Sequence, residues 1–186
     1  MPGRIATVDT SVLLSLQCTQ MIAPASVLFT RLLVPAAVRR EIAADRERNA
    51  AVLQALRDFE LFADCDDYDP ASVDILLQQR KFQKAGRDRG EAEAVVQASQ
   101  RGAQMVLVDD ALGRKWAASR TLEVHGTLWI FEQLRIPSYI ATLRPHFEEL
   151  LKNRRRQPLP AMNELLRRYA EPEFSAEEAR DLSATA

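Results

Sequence analysis

Four carboxylates in this chain stand where acids are out of place. Asp9 follows the apolar run 5–8, and Asp109 follows the apolar run 105–108 with Asp110 behind it. A strand that delivers an acid at its carboxyl end, just before a helix, is a common way to build a site at the edge of a parallel sheet. Glu41 lies three residues after Val38 and four after Ala37, and Glu91 lies three before Ala94, four before Val95 and seven before Ala98. On helices those spacings put both glutamates on the apolar stripe. Glu93 instead shares its side with Gln97 and Gln100, the pattern of a solvent face. Inward carboxylates are costly unless they meet a cation or hydrogen-bond donors. Asp9, Glu41, Glu91 and Asp109, gathered at one sheet end, would suit a shared divalent ion. All-oxygen ligands favour Mg²⁺ or Mn²⁺ over zinc.

Each acid also has a plainer reading. Asp9-Thr10-Ser11 is a good helix N-cap cluster. Glu91 sits in a first helical turn, where the helix dipole favours an acid. Glu41 could pair with a core arginine, and Asp109-Asp110 could cap the helix that follows. Taken one at a time these readings are as good as a metal site. Taken together they leave the coincidence of strand ends and inner helix faces unexplained.

The elements that must position these acids are expected as follows. Apolar runs predict strands at 4–8, 32–34, 60–63, 105–108 and 122–125. Between them, helices are expected at 11–16, 24–29, from Pro35, 49–58, from Pro70, 91–100, 111–120 and 127–134. Strands alternating with helices at this spacing indicate an α/β protein with a parallel sheet. Two further helices are expected at 138–152 and 161–169. The domain layout is then 4–135 as the core unit, 136–170 as a helical extension packed on it, and 171–186 as a loose acidic tail.

The chain has 186 residues, 47% apolar and 27% charged, which suits an ordinary globular domain with a real core. No stretch approaches the roughly 20 apolar residues a membrane helix needs, so no membrane role is expected. The opening Met-Pro-Gly-Arg leads directly into a strand without a secretory pattern. Cys18 and Cys65 are far apart and read as reduced thiols, so a cytoplasmic location is expected. The net charge of −1 leaves a nucleic-acid partner open, because local patches matter more than the total. Two basic stretches are candidates for phosphate contacts: Arg80, Lys81, Lys84, Arg87 and Arg89, and the run 154–156. A charge run is more often simply a solvated face.

At this point the residues resemble a PIN-domain nuclease, similar to the VapC-type toxins of prokaryotic toxin–antitoxin pairs. The resemblance rests on an ordered set. Val8-Asp9-Thr10-Ser11 ends the first strand. Val34-Pro35-x-x-Val38-x-x-Glu41 and Gly90-Glu91-Ala92-Glu93-Ala94 follow, then Leu107-Val108-Asp109-Asp110 before Arg114 and Ala117. Gly126-Thr127-Leu128 and the closing Leu165-Leu166-Arg167-Arg168 resemble an uncharacterised PIN-like branch. The resemblance spans roughly residues 5 to 169. It implies a three-layer α/β/α fold around a central parallel sheet, with extra C-terminal helices. It also implies an acidic metal-binding pocket formed by Asp9, Glu41, Glu91 and Asp109, with Asp110 as an extra ligand and Thr10 or Ser11 orienting the first acid. The third acid is often Asp in the family and is Glu91 here, with Glu93 as its rival. The long insert between Glu41 and Glu91 departs from the shorter VapC pattern.

The activity implied is metal-dependent hydrolysis of single-stranded RNA, by a hydroxide formed from metal-bound water. A small antitoxin protein and a homodimer are the partners implied besides RNA. The other reading is a catalytically inactive PIN-like scaffold that binds a partner protein. A protein nucleophile is not expected, since His125 and His146 have no Cys or Ser partner at a recognisable spacing. A P-loop is absent, and Asp9-Thr10-Ser11 lacks the second Asp of a dehalogenase-type phosphatase.

Overall fold

Strand β4, Met105–Leu107, is only three residues long and wholly buried. Such a continuous apolar strand belongs in the middle of a parallel sheet covered on both faces. In the computed structural model, which describes residues 4–79, 88–155 and 157–184, it does. Five parallel strands run in the order β3-β2-β1-β4-β5. The others are β1 (Arg4–Val8), β2 (Phe29–Pro35), β3 (Phe62–Cys65) and β5 (Glu123–His125). The order reverses between β1 and β4, so the connections that follow these two strands lead off in opposite directions and leave a crevice at their carboxyl ends. That crevice is where open α/β sheets place ligands.

The strands alternate their side chains between two apolar clusters. Ala6, Val8, Leu32, Val34, Met105 and Leu107 join one cluster, while Val106 and Val108 join the other. The first cluster is covered by α1 (Thr10–Cys18), α3 (Ala36–Ala44), α4 (Ala50–Asp58) and α8 (Thr127–Arg135). The second is covered by α5 (Pro70–Gln78), α6 (Arg89–Gln100) and α7 (Ala111–Ala118). This is the expected three-layer α/β/α arrangement. A short helix, α2 (Ile22–Ala25), precedes β2. The helix expected to run to Phe29 ends earlier, because Phe29 is buried as the first residue of β2.

Helix starts follow local chemistry. Asp9, Asp69 and Asp110 each accept a backbone N–H at the head of α1, α5 and α7. Pro70 takes the first turn of α5. Gly102, just past α6, adopts φ +64°.

The C-terminal third differs from expectation in two places. The amphipathic stretch from residue 138 becomes helical only at α9 (Arg144–Lys152), followed by α10 (Leu159–Arg168). The acidic stretch from Glu171 is not loose. The Glu171 carboxylate accepts the Leu143 and Arg144 N–H groups at 2.8–2.9 Å, capping α9 from outside its own sequence. Phe174 is buried under the Arg144 guanidinium, 4.2 Å from its ring centre, and α11 (Ala176–Ala184) packs on α9. Acidic composition suggested disorder, but Phe174, Ala179 and a fixed Arg144 supply enough burial and charge pairing to hold the segment.

Candidate functional site

The β1–β4 pairing sets the site. Val8 is in register with Leu107, and the Asp9 N–H donates to the Leu107 carbonyl at 3.1 Å. Asp9 and Asp109 therefore leave the sheet side by side at its switch point.

Asp9 is almost fully buried. Its Oδ1 accepts the Val12 N–H at 2.9 Å, and the Ser11 hydroxyl donates to both carboxylate oxygens at 2.8 and 3.1 Å. The residue thus serves as the cap of α1 while facing the other acids. Ser11 supports Asp9; Thr10 does something else, donating its hydroxyl to Glu41.

Asp109 is gripped more tightly. Oδ1 accepts the Thr127 N–H at 2.8 Å, and Oδ2 accepts the Thr127 hydroxyl at 2.6 Å and the Gln157 amide at 2.7 Å. Gly126 is required beside it, since a Cβ there would stand 2.5 Å from Asp109 Oδ1 and 2.6 Å from an Arg114 nitrogen. Asp110 caps α7 through the Leu112 N–H.

Glu41 is exposed, which corrects the inner-face expectation. Its carboxylate nevertheless lies at the site, bonded to Thr10 and directly over Gly90, where a Cβ would meet Glu41 Oε1 at 3.1 Å. Helical phase was right about direction and wrong about burial, because the site at the sheet edge is itself open to water.

Glu91 is partly buried and faces a cleft of about 390 Å³ together with Ser11, Asp109 and Asp110. Arg154, Arg155 and Gln157 line the same cleft. Glu93 overturns its solvent-face expectation, being fully buried. It accepts the Ala37 N–H at 2.7 Å and the Arg89 guanidinium at 2.9 Å, with Arg40 at 3.3 Å. Gln97 on the same side is also fully buried, donating to the Cys65 carbonyl. Helix α6 contacts α3, α5, α7 and the sheet, so it has almost no free face. Its two glutamates divide the work: Glu91 faces the cleft, and Glu93 ties α6 to α3.

The acids act on one another. Burial raises the Asp9 carboxyl well above the usual carboxylate range, and the neighbouring Asp109 raises it further. Burial pushes Glu91 up to about 7, with Glu41, Asp88 and Asp110 adding to the rise. Among the described residues, no three His, Cys, Asp or Glu side chains stand as a ready-made metal-binding group. The donor set itself fits a hard divalent ion: it is all carboxylate, it is crowded, and burial disfavours the charged forms of Asp9 and Glu91.

Of the basic candidates, Arg80, Lys81, Lys84, Arg87 and Arg156 lie outside the described residues. Arg89 begins α6 and is engaged with Glu93 and with Asp74 at 3.5 Å. His125 stacks on Trp129 at 3.9 Å and His146 stacks on Phe131 at 5.6 Å, both in packing roles. Sequence reasoning missed Gln157, and it took Gly126-Thr127 as a family mark without seeing their hold on Asp109.

Among the described residues, no helix is long and apolar enough to cross a membrane. A comparison with curated proteins returned no match. A family model described as a PIN domain matches residues 5–171, taking in all four acids and all five strands except the first residue of β1. PIN domains are generally metal-dependent nucleases, which supports a nuclease-type hydrolase here. With the match covering most of its length, and a five-stranded parallel sheet that delivers acids at its switch point, the chain belongs to the PIN-domain family.

Proposed function

We propose that the protein is a metal-dependent endoribonuclease that hydrolyses phosphodiesters of single-stranded RNA and acts as the toxin of a toxin–antitoxin pair. The observation that carries the reading is the polarity of one cleft. Glu91, Asp109 and Asp110 line it together with Arg154 and Arg155. A phosphodiester suits both groups, offering oxygens to a carboxylate-bound cation and negative charge to guanidinium groups.

Asp9, Glu41, Glu91 and Asp109 would hold one or two Mg²⁺ or Mn²⁺ ions, which supply an activated water and neutralise charge on the leaving oxygen. Ser11 fixes the Asp9 carboxylate, and Thr127 with Gln157 fixes that of Asp109. Arg155 is half-buried, and its guanidinium has lost part of its water, which strengthens its pull on a phosphate in the cleft. Asp110 remains a candidate extra ligand, though its Oδ1 caps α7.

Cleavage of a labelled RNA with Mg²⁺ or Mn²⁺ tests this, comparing wild type with Asp9→Asn and Glu91→Gln. Activity surviving both substitutions would sink the reading. A folded wild type that neither cleaves nor binds metal would favour the inactive scaffold, for which the occupied oxygens of Asp109 speak. Co-purification with a small labile protein tests the antitoxin partner, and light scattering tests the homodimer.

A further inference from the structure

The carboxylate of Asp109 has about four lone-pair directions. Thr127 takes two of them, and Gln157 takes a third. The two acceptances at Oδ2 leave Oδ1 as the oxygen with room for one more partner. Gln157 comes from 48 residues further along the chain, in the loop between α9 and α10. That loop is held at both ends. The Arg154 and Arg155 N–H groups donate back to Leu151 and Leu150 at 2.9 and 2.8 Å. Met162 and Leu166 of α10 are buried in the main core.

Resting on the metal-nuclease reading above, we propose that Gln157 is a positioning residue for Asp109. Its amide blocks Oδ2 and leaves Oδ1 to ligate the ion through one oxygen only. Three features point this way. Gln157 is only partly buried, so water can take over its amide when the bond is lost. Thr127 alone already satisfies both oxygens of Asp109. An amide donates without carrying charge, so it orients the carboxylate without adding to the positive charge that Arg114 already brings near Oδ1. Arginine or lysine in the same place would compete with the ion. The α9–α10 loop then belongs to the active site, with Gln157 serving the acids and Arg154 and Arg155 serving the substrate.

The test is Mn²⁺ binding by calorimetry and electron paramagnetic resonance, on full-length wild type, Asp9→Asn, Gln157→Ala and Gln157→Met. Methionine keeps the length of the side chain and removes the donor. Partners of metal ligands typically tune affinity by about 10- to 100-fold. The expected result is a Kd about 10-fold weaker in both Gln157 variants, with kcat for RNA reduced, KM unchanged and metal-free melting within about 2 °C of wild type. Gln157→Met binding Mn²⁺ as wild type does would overturn the inference alone. So would weaker binding accompanied by a large drop in metal-free melting, which would mark Gln157 as a structural residue. Wild type failing to bind Mn²⁺, or Asp9→Asn binding it equally well, would overturn the metal reading and this inference with it.

Discussion

Thr127 holds Asp109 from two directions at once, with its backbone N–H on one oxygen at 2.8 Å and its hydroxyl on the other at 2.6 Å. Thr127 is fully buried and is the first residue of α8, so its N–H is one of the donors that the helix start leaves without an intrahelical partner. Thr127→Val keeps the shape and removes one donor. It is expected to lower RNA cleavage by about 10- to 100-fold. Stability should fall by about 1.5–3 kcal/mol, the range for a hydrogen bond to a charged group. Single-turnover kinetics and urea unfolding read the two effects separately.

Gly126→Ala acts on the same carboxylate by volume alone. The new methyl would sit 2.5 Å from Asp109 Oδ1 and 3.2 Å from the Val108 carbonyl, so Asp109 has to turn away. Cleavage should drop by at least about 100-fold, the scale of a misplacement near 1 Å. A crystal structure of the variant should show a new Asp109 rotamer, and an unmoved carboxylate would refute the account.

Asp9→Asn separates function from stability. Burial and Asp109 make the ionised Asp9 expensive. Asparagine can still cap α1 through its carbonyl oxygen. The metal-free melting temperature should rise, because the amide removes a buried charge that burial and Asp109 both disfavour. Stabilisation by added Mn²⁺ should disappear. A variant less stable than wild type without metal would show that the acids do not repel as inferred.

The proton on Glu91 gives a pH test. Its folded pKa, about 7, lies above the ordinary 4.5. Between those values the folded state holds more protons than the unfolded state, so metal-free stability falls as pH rises from about 4.5 to 7. Below that window the Glu91 contribution is flat. Mn²⁺ must displace the same proton, so its apparent affinity should climb through pH 7. Glu91→Gln should flatten the stability slope across that window, as followed by melting at a series of pH values.

Glu93→Ala tests the structural partner of the pair. It leaves the buried Ala37 N–H without its acceptor and removes the anion facing Arg89. The loss should be about 3 kcal/mol, the lower end for breaking a buried pair, because Arg40 and Arg89 can turn to water. Metal affinity should change less than in Glu91→Gln, as titration of both variants would show.

Where the acids stand along the chain follows from local sequence alone. A strand end, a following cap and an apolar stripe are local features, written in runs and spacings of a few residues. Asp9, Asp109 and the helix phase of Glu91 were legible for that reason, as was the parallel α/β class. What surrounds each acid is set by long-range packing. The spacing in α6 could show one buried face but not that α3 and α5 close the other, so Glu93 and Gln97 looked solvent-facing. Glu41 points toward the site yet remains exposed, because the sheet edge it faces is open. Asp109 depends on Thr127 and Gln157, 18 and 48 residues away. No periodicity links positions so distant, and only the packing of α8 and α10 into the same core brings Thr127 and the loop carrying Gln157 to one carboxylate.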